Sequence, residues 1–164
     1  MTTSVKTQIR QFQTADADPV KQLIHHTIDT SFQLIYPQQA INFFKGFHSI
    51  EKIRDRAEKG ITIVIERNRE IIGTGSVING EILGVFVTPS CQKQGYGKLL
   101  MLKLEQIAAS KCCSEVFLSV SLPSKQFYER LGYTNFKGYA IEVKNGKRFD
   151  YWKASKSLEG LPKL

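Results

Sequence analysis

Hydrophobic residues recur every three to four positions in the first third of the chain, which is the spacing of helices that bury one face. Three helices are predicted there: one that begins with the carboxylates and proline of 16–19, an aromatic one over about 40–47, and a short one that Ser49 opens. The third should end at Gly60, where we expect a left-handed C-terminal residue. A short strand over 9–12 precedes all three.

From residue 61 onward the pattern changes to runs of β-branched residues separated by turns, which is typical of strands. Three strands, at 61–65, 71–78 and 81–87, form an antiparallel meander. The pair Asn79-Gly80 makes a two-residue hairpin turn within it, because both residues tolerate the positive φ that this turn needs. A second Asn-Gly pair, at 145–146, joins two further strands at the end of the chain.

Between the meander and the final hairpin, the pattern predicts a helix along 97–108, a strand over 115–120 and a short helix that begins at Pro123 and stops at Gly132. The strand–helix–strand unit pairs its two strands in parallel. The chain should therefore be a single α/β domain over 1–164. Its sheet should be mixed and mostly antiparallel, with about six or seven strands, a parallel central pair, and helices on both faces.

Composition narrows the class of protein. The 164 residues are 41% hydrophobic and 23% charged, as in a domain with one sizeable core. No apolar run approaches the roughly 20 residues of a spanning helix, and the N-terminus lacks the apolar segment of a signal peptide. We therefore expect a cytoplasmic protein that does not enter a membrane. The three cysteines, two of them adjacent at 112–113, should be reduced thiols packed in the core.

The net charge of +8 is compatible with nucleic acid, an anionic membrane surface or a small substrate that carries phosphates. The lysines and arginines are scattered, without a dense basic block or helix-turn-helix spacing, so nucleic acid is an unlikely partner. The histidines, His25, His26 and His48, lack metal-ligand spacing and should be packed or solvated. We expect no metal.

The most informative stretch is the loop 92–98, Gln-Lys-Gln-Gly-Tyr-Gly-Lys, which leads from a buried strand into an amphipathic helix. Its glycines let the backbone approach a ligand, and the N–H groups at the start of the helix can bind a phosphate. A P-loop would need glycine at Gln92 and serine or threonine at Leu99, and 73–75 lacks the third glycine of a dinucleotide fingerprint. The alternative is a plain strand-to-helix turn whose glycines serve only geometry.

Two motifs carry a resemblance to a known family. The pattern Gln92-x-x-Gly95-x-Gly97, preceded by Val87-x-Pro89, closely resembles the acetyl-CoA motif of the GNAT N-acetyltransferases. The stretch 127–133, Phe-Tyr-Glu-Arg-Leu-Gly-Tyr, resembles that superfamily's second signature, and the order of elements matches from about 9 to about 153. The resemblance implies a GNAT-like fold, acetyl-CoA as co-substrate, and transfer of its acetyl group to an amine.

The resemblance also implies where acetyl-CoA binds. Backbone groups of Val85, Phe86 and Val87 would pair with the pantetheine arm as an added strand does, since the arm carries amide donors and acceptors. Many relatives have an asparagine after the fifth strand, where this chain has Ser121, whose shorter side chain can still bond to the arm. The pyrophosphate would lie on the loop residues Gln92, Lys93, Gln94, Gly95, Tyr96, Gly97 and Lys98.

Transfer to an amine requires a base, because a lysine-type amine with a pKa of about 10.4 is neutral in only about one molecule in 2,500 at pH 7. Glu81 stands where histone-type members of the superfamily have their catalytic glutamate, and we expect it to act as general base through water. The alternative is an exposed carboxylate beside a hairpin turn. Tyr128, at the position of the superfamily's acid, would protonate or stabilise the departing sulfur; otherwise it is a core aromatic.

In the superfamily the acceptor binds between the first helices and the last hairpin, here about 27–47 and 137–151. An aromatic-lined cleft there could enclose a small-molecule or peptide amine, although the same residues could pack a core or a homodimer interface. A non-catalytic acetyl-CoA-binding module is the alternative function. The aromatic residues in or beside these segments include Phe32, Tyr36, Phe43, Phe44, Tyr139 and Trp152.

Overall fold

The computed structural model describes residues 5–161, in which one sheet of seven strands is accompanied by five helices. The strands are β1 (Thr7–Gln11), β2 (Ile61–Arg67), β3 (Glu70–Ile78), β4 (Glu81–Val87), β5 (Glu115–Ser121), β6 (Thr134–Glu142) and β7 (Arg148–Ser157). The helices are α1 (Ala17–Phe32), α2 (Gln38–Gly46), α3 (Ile50–Lys59), α4 (Tyr96–Ser110) and α5 (Lys125–Arg130).

The strands lie in the order β1-β2-β3-β4-β5-β7-β6, and every neighbouring pair is antiparallel except β4 and β5, which are parallel. The parallel pair arises because α4 carries the chain from the end of β4 back to the start of β5. The predicted fold, a mixed and mostly antiparallel sheet with one central parallel pair, is confirmed.

The two faces of the sheet bury two separate hydrophobic clusters. Ile63 and Ile65 of β2 pack in the same cluster as Leu100 and Leu104 of α4. Val64, which points the opposite way, packs in the cluster that contains the buried side chains of α1, α2 and α3. This alternation follows from the two-residue repeat of a strand. Helices therefore cover both faces, as predicted.

One extra residue in β4 interrupts this alternation. Ser76 of β3 pairs with Leu83 and Thr74 with Phe86, so three steps along β4 oppose two along β3. The bulge includes Gly84, whose φ of 64° favours glycine. Beyond the bulge the strands β4 and β5 separate, since their pairing covers only Glu81 with Phe117 and Ile82 with Leu118. A wedge therefore opens in the middle of the sheet.

Several local predictions are confirmed. Both Asn79 and Gly80 have positive φ, 48° and 84°, as the hairpin turn requires. The second pair, Asn145 and Gly146, has φ values of 61° and 66°. Ser49 caps α3, because its side chain accepts a hydrogen bond of 3.3 Å from the Lys52 N–H.

Other local predictions are wrong in their physical reason. Gly60 ends α3 but is not left-handed: its φ is −146°, and an added Cβ would lie 2.3 Å from the Val77 carbonyl oxygen. Close packing against β3 therefore demands glycine there.

The carboxylate of Asp16 does not cap α1; it accepts hydrogen bonds of 2.7 Å from the Gln13 N–H and from Arg10. Pro123 lies in a 3-10 turn over Leu122–Ser124, and α5 starts only at Lys125.

The cysteines are all free thiols. Cys91 is buried and Cys113 partly buried in the cluster below α4, as expected. The prediction of core packing is wrong for Cys112, which is exposed in the turn after α4 with a φ of 65°. Across residues 5–161, no helix combines the length and the apolar character needed to cross a bilayer.

Candidate functional site

The wedge between β4 and β5 belongs to a cleft of about 1570 Å³, which continues between the helices α1–α3 and the β6–β7 hairpin. The residues predicted from sequence to form the site line this cleft, except Gln94 and Tyr96. The lining residues among them are Glu81, Val85, Phe86, Val87, Gln92, Lys93, Gly95, Gly97, Lys98, Ser121 and Tyr128.

The loop before α4 presents a run of free backbone donors. Within the described part of the chain, the N–H groups of residues 93–98 donate no hydrogen bond. Lys93 and Gly95 have positive φ, 60° and 89°, so the loop folds back upon itself before the helix begins. Consecutive N–H groups at a helix N-terminus form a site for an anion, and phosphate is the natural ligand.

Two glutamine side chains hold this loop in place. The side-chain amide of Gln92 donates a hydrogen bond of 2.9 Å to the Val87 carbonyl oxygen, at the end of β4. That of Gln94 donates one of 3.2 Å to the Ser90 carbonyl oxygen. Their role is therefore to fix the backbone of the loop.

The two glycines of the loop are required for different reasons. At Gly95 an added Cβ would meet no atom within 4 Å, and the left-handed conformation is what favours glycine. At Gly97 an added Cβ would lie 3.1 Å from the Phe127 ring, so glycine allows α4 to begin close to α5. The second glycine thus serves packing between two elements as well as the approach of a ligand.

Beyond the bulge, β4 has a free edge toward the cleft. Its other edge pairs with β3 through Phe86 and Val87, but the register with β5 ends at Ile82. The backbone from Val85 to Val87 can therefore pair with an extended ligand that carries amides.

Tyr128 lies at the other wall of the wedge, on α5. Its ring packs edge-on against Phe127 and Tyr133, with centroids 5.0 and 5.6 Å away. Burial raises the pKa of the Tyr128 hydroxyl above its ordinary value, so the proton is retained at neutral pH. On the same wall, the Ser121 hydroxyl lies 2.8 Å from that of Ser124.

Glu81 is the first residue of β4 and is exposed at the edge of the cleft. It pairs with Ile78 across the hairpin and with Phe117 of β5. Its carboxylate is therefore solvated, as exchange of a proton through water requires.

The sequence prediction missed a buried pair that also lines the cleft, Arg56 and His48. Arg56 donates a hydrogen bond of 2.9 Å to the Phe47 carbonyl oxygen, and its Nη2 lies 3.2 Å from Nδ1 of His48. Since a guanidinium can only donate, Nδ1 of His48 is the acceptor and the imidazole is neutral. Burial, and then the charge of Arg56, lower the pKa of His48 to about 3.

The environment of Arg56 is unusual for a cation. Burial lowers the pKa of its guanidinium to about 10, and an added Cβ at Gly84 would lie 3.3 Å from its Nη2. Arg56 therefore lies against the bulge in β4. One signal in the sequence could have indicated Arg56. It follows the buried Ile53 by three residues, so it lies on the face of α3 where an apolar residue is expected.

Aromatic residues line the cleft between the helices α1–α3 and the β6–β7 hairpin, but not all of those predicted do so. Tyr36, Phe43 and Trp152 do not line it. Tyr36 is buried, and its hydroxyl donates to the Asp150 carbonyl oxygen at 2.7 Å and accepts from the Leu122 N–H at 2.8 Å. The aromatic lining residues on this side are Phe32, Phe44, Phe47, His48, Phe86, Tyr139, Phe149 and Tyr151.

Among residues 5–161, no three His, Cys, Asp or Glu side chains form a group that could hold a metal ion.

Comparison with known proteins identifies relatives. The sequence profile described as "Acetyltransferase (GNAT) family" matches residues 22–133. A segment of 54 residues is 44% identical to glucosamine 6-phosphate N-acetyltransferase of Trypanosoma brucei brucei. That segment covers 33% of this chain and 37% of the trypanosomal enzyme, so the match spans little more than a third of that relative's length.

Solved structures share the fold across nearly the whole chain. A GCN5-related N-acetyltransferase from Rhodopseudomonas palustris superposes with a TM-score of 0.82 at 18% identity, covering 93% of this chain and 96% of that one. The PaiA N-acetyltransferase of Thermoplasma acidophilum, solved in complex with coenzyme A, gives 0.72 at 18% identity, with 93% and 99% covered. The yncA protein of Salmonella typhimurium, with its cofactor acetyl-CoA, gives 0.68 at 16% identity, with 97% and 98% covered.

Proposed function

Because this chain belongs to the acetyltransferase (GNAT) family, we propose that it transfers an acetyl group from acetyl-CoA to a primary amine. The observation that carries the proposal is the run of free N–H groups at residues 93–98, directly beside the free edge of β4. The loop suits a pyrophosphate, to which Lys93 and Lys98 add positive charge. The backbone from Val85 to Val87 suits the pantetheine arm, which would pair with it as a strand.

The proposed reaction is a direct attack. The neutral amine nitrogen forms a bond to the thioester carbonyl carbon, and the bond from that carbon to sulfur breaks. Glu81 takes the proton that the amine loses, through a water molecule. The sulfur leaves as a thiolate with the bonding electron pair.

Tyr128 would act on that departing sulfur. Burial raises the pKa of its hydroxyl, whereas an ordinary thiol has a pKa of about 8.5. Complete transfer of the proton from the tyrosine to the thiolate is therefore uphill. A hydrogen bond from the hydroxyl to the developing negative charge, with later protonation from solvent, is the role that this environment favours.

Two observations bear on the acceptor. The cleft has an aromatic wall, which suits the apolar body of a small molecule or a peptide side chain. The trypanosomal relative is named for glucosamine 6-phosphate, so an amino sugar phosphate is the first acceptor to test.

Two measurements test the proposal. Calorimetric titration with acetyl-CoA should give saturable binding, and its absence would reject the donor site. Release of free coenzyme A thiol should then be followed with glucosamine 6-phosphate, amino acids, polyamines, aminoglycosides and peptide N-termini. Binding without release from any acceptor would favour the alternative, a non-catalytic acetyl-CoA-binding module.

A further inference from the structure

The part of the cleft away from the phosphate loop carries an excess of positive charge. The described residues that line it include Lys52, Arg56 and Lys59 on α3 and Lys137 and Lys153 on the hairpin. The acidic lining residues are Asp55 and Glu81, and Asp55 is already paired with Lys59 at 2.8 Å. The acceptor side is therefore positive even without the lysines of the loop.

Arg56 differs from the lysines around it because it is buried, with 9% of its surface exposed. Among the described residues it forms no salt bridge, and both acceptors of its hydrogen bonds, the Phe47 carbonyl and the His48 imidazole, are neutral. The charge of Asp55 offsets only part of the effect of burial, since the pKa of Arg56 is lowered to about 10. A buried cation without a salt bridge is costly, and an anion beside it would recover much of that cost. Such an arrangement inside a binding cleft is what an anion site requires.

We propose that Arg56 binds a negatively charged group of the acceptor, a phosphate or a carboxylate, so that the substrate is an amine that also carries an anion. This inference rests on the acetyl transfer proposed above. It names the class of acceptor. It also predicts that polyamines are poor acceptors, because their charge has the same sign as that of the cleft.

The surroundings of Arg56 fit this role. A guanidinium has five N–H donors in one plane, and the two bonds within the chain leave others for a phosphate or carboxylate. His48 fixes the plane from one side, itself held edge-on by the rings of Phe44 and Phe86 at 5.1 and 5.2 Å. Gly84, at the mouth of the wedge, fixes it from another. The anion would therefore lie near the point where β4 and β5 separate.

The first test measures binding without turnover. Inorganic phosphate is titrated into protein saturated with coenzyme A, which occupies the loop, and binding is followed by ³¹P line broadening. Arg56→Gln, which can still bond to Phe47 and His48, should weaken phosphate binding at least about tenfold. Arg56→Lys should weaken it less, and Lys111→Gln, which removes an exposed charge outside the cleft, should leave it unchanged. Equal binding by the wild type and Arg56→Gln would overturn the proposal.

The second test compares acceptors that differ in one charge. Phosphoethanolamine is paired with ethanolamine, and β-alanine with its amide, so that the pairs separate phosphate from carboxylate. The anionic member should have the higher kcat/KM by at least about tenfold, and Arg56→Gln should abolish the difference through KM. A preference for the neutral members, or one that survives Arg56→Gln, would overturn the anion site alone. Thiol release from no acceptor would instead contradict acetyl transfer, and the phosphate titration would still decide the anion site.

Discussion

Single residues of the site have environments matched to different tasks. Tyr128 is buried, and its pKa is raised by that burial, whereas Glu81 is exposed at the start of β4. A buried hydroxyl keeps its proton and can donate a hydrogen bond to a leaving group, while a solvated carboxylate can exchange protons through water. Both roles remain proposals, and each can be tested by one substitution.

Replacing Tyr128 with Phe should lower the rate of acetyl transfer by about 10²-fold and leave the Kd for acetyl-CoA almost unchanged, because only the contact to the leaving sulfur is lost. Single-turnover kinetics and calorimetry measure the two quantities. Tyr133→Phe is the matched control, since Tyr133 packs against Tyr128 but donates its hydroxyl to Glu105, outside the cleft. Equal rates for wild type and Tyr128→Phe would exclude Tyr128 from the chemistry.

Replacing Glu81 with Gln should depress turnover most at low pH, because at high pH more of the amine is already neutral and needs no base. The pH profile of kcat/KM measures this effect. Glu115→Gln, an exposed first residue of the neighbouring strand outside the cleft, should retain the wild-type profile. A profile for Glu81→Gln that superposes on that of wild type would remove Glu81 as the base.

The buried pair Arg56 and His48 could not be predicted from local sequence patterns. The charge at an apolar helix position was visible in the sequence, but its meaning depends on Gly84, a residue 28 positions further along the chain that reaches it only through the fold. Motifs could indicate the loop 92–98 because all of its residues are adjacent in the chain. No local pattern encodes a contact between a helix and the bulge of a distant strand.

At the scale of elements, most helices and strands followed from periodicity, and turns followed from Asn-Gly pairs whose φ values are local properties. Gly60 is the instructive exception. Its place at the end of α3 suggested a left-handed residue. The carbonyl of Val77, which lies in β3 further along the chain, is what excludes a side chain there. Glycine is thus required at position 60 by a tertiary contact and not by the local backbone conformation.

Two glycine substitutions separate these effects. Gly60→Ala should lower the free energy of unfolding by about 1–3 kcal/mol, because its Cβ would overlap a backbone oxygen of β3. Gly46→Ala, at the end of α2 with no atom within 4 Å of the added Cβ, should raise it by about 0.5–1 kcal/mol. Urea denaturation measures both. A Gly60→Ala protein as stable as wild type would contradict the overlap.

The phosphate loop can be tested in the same way. Gly95→Ala should weaken acetyl-CoA binding by at least about tenfold, since a left-handed alanine costs about 1–2 kcal/mol and the N–H groups would turn away. Gly146→Ala is the control: its φ is also positive and its surroundings are equally open, but it lies in the last hairpin turn and does not line the cleft. Both variants should lose similar stability. Only Gly95→Ala should lose affinity in calorimetry.

At the scale of the whole molecule, the sequence predicted the strand types, the single parallel pair and the helices on both faces, because these follow from element order. It could not predict the wedge. Residues 81–87, Glu-Ile-Leu-Gly-Val-Phe-Val, form a nearly continuous apolar run with no visible alternation, so the extra residue at the bulge leaves no trace in the pattern. The cleft therefore emerges only when β3 and β4 are paired.

Buried His48 should make the stability of the whole protein depend on pH. Its pKa is about 3 in the folded protein and 6.5 as the ordinary value, so below pH 6.5 the unfolded chain takes up a proton that the folded protein does not. The free energy of unfolding should then fall by up to about 1.4 kcal/mol per pH unit as pH drops from 6.5 toward 3. Carboxylates add their own dependence, so the difference between variants is the measured quantity.

Urea denaturation of wild type and His48→Gln between pH 7 and 4.5 isolates this contribution. The glutamine amide can accept from Arg56 but does not titrate, so the fall in stability should be shallower in the variant. His26→Gln, at an exposed position of α1, should follow wild type. Parallel curves for wild type and His48→Gln would show that His48 does not resist protonation.

The extra residue in β4 is what keeps β4 and β5 apart beyond the bulge. Deleting Gly84 would remove the extra residue between Leu83 and Phe86, so that two steps along β4 would oppose two along β3 while Phe86 stays opposite Thr74. The straightened strand could then pair with β5 along its whole length. The wedge would close although no charged residue had been changed. We therefore expect the protein without Gly84 to lose the free edge of β4, so the proposed donor site depends on a single inserted residue in a strand.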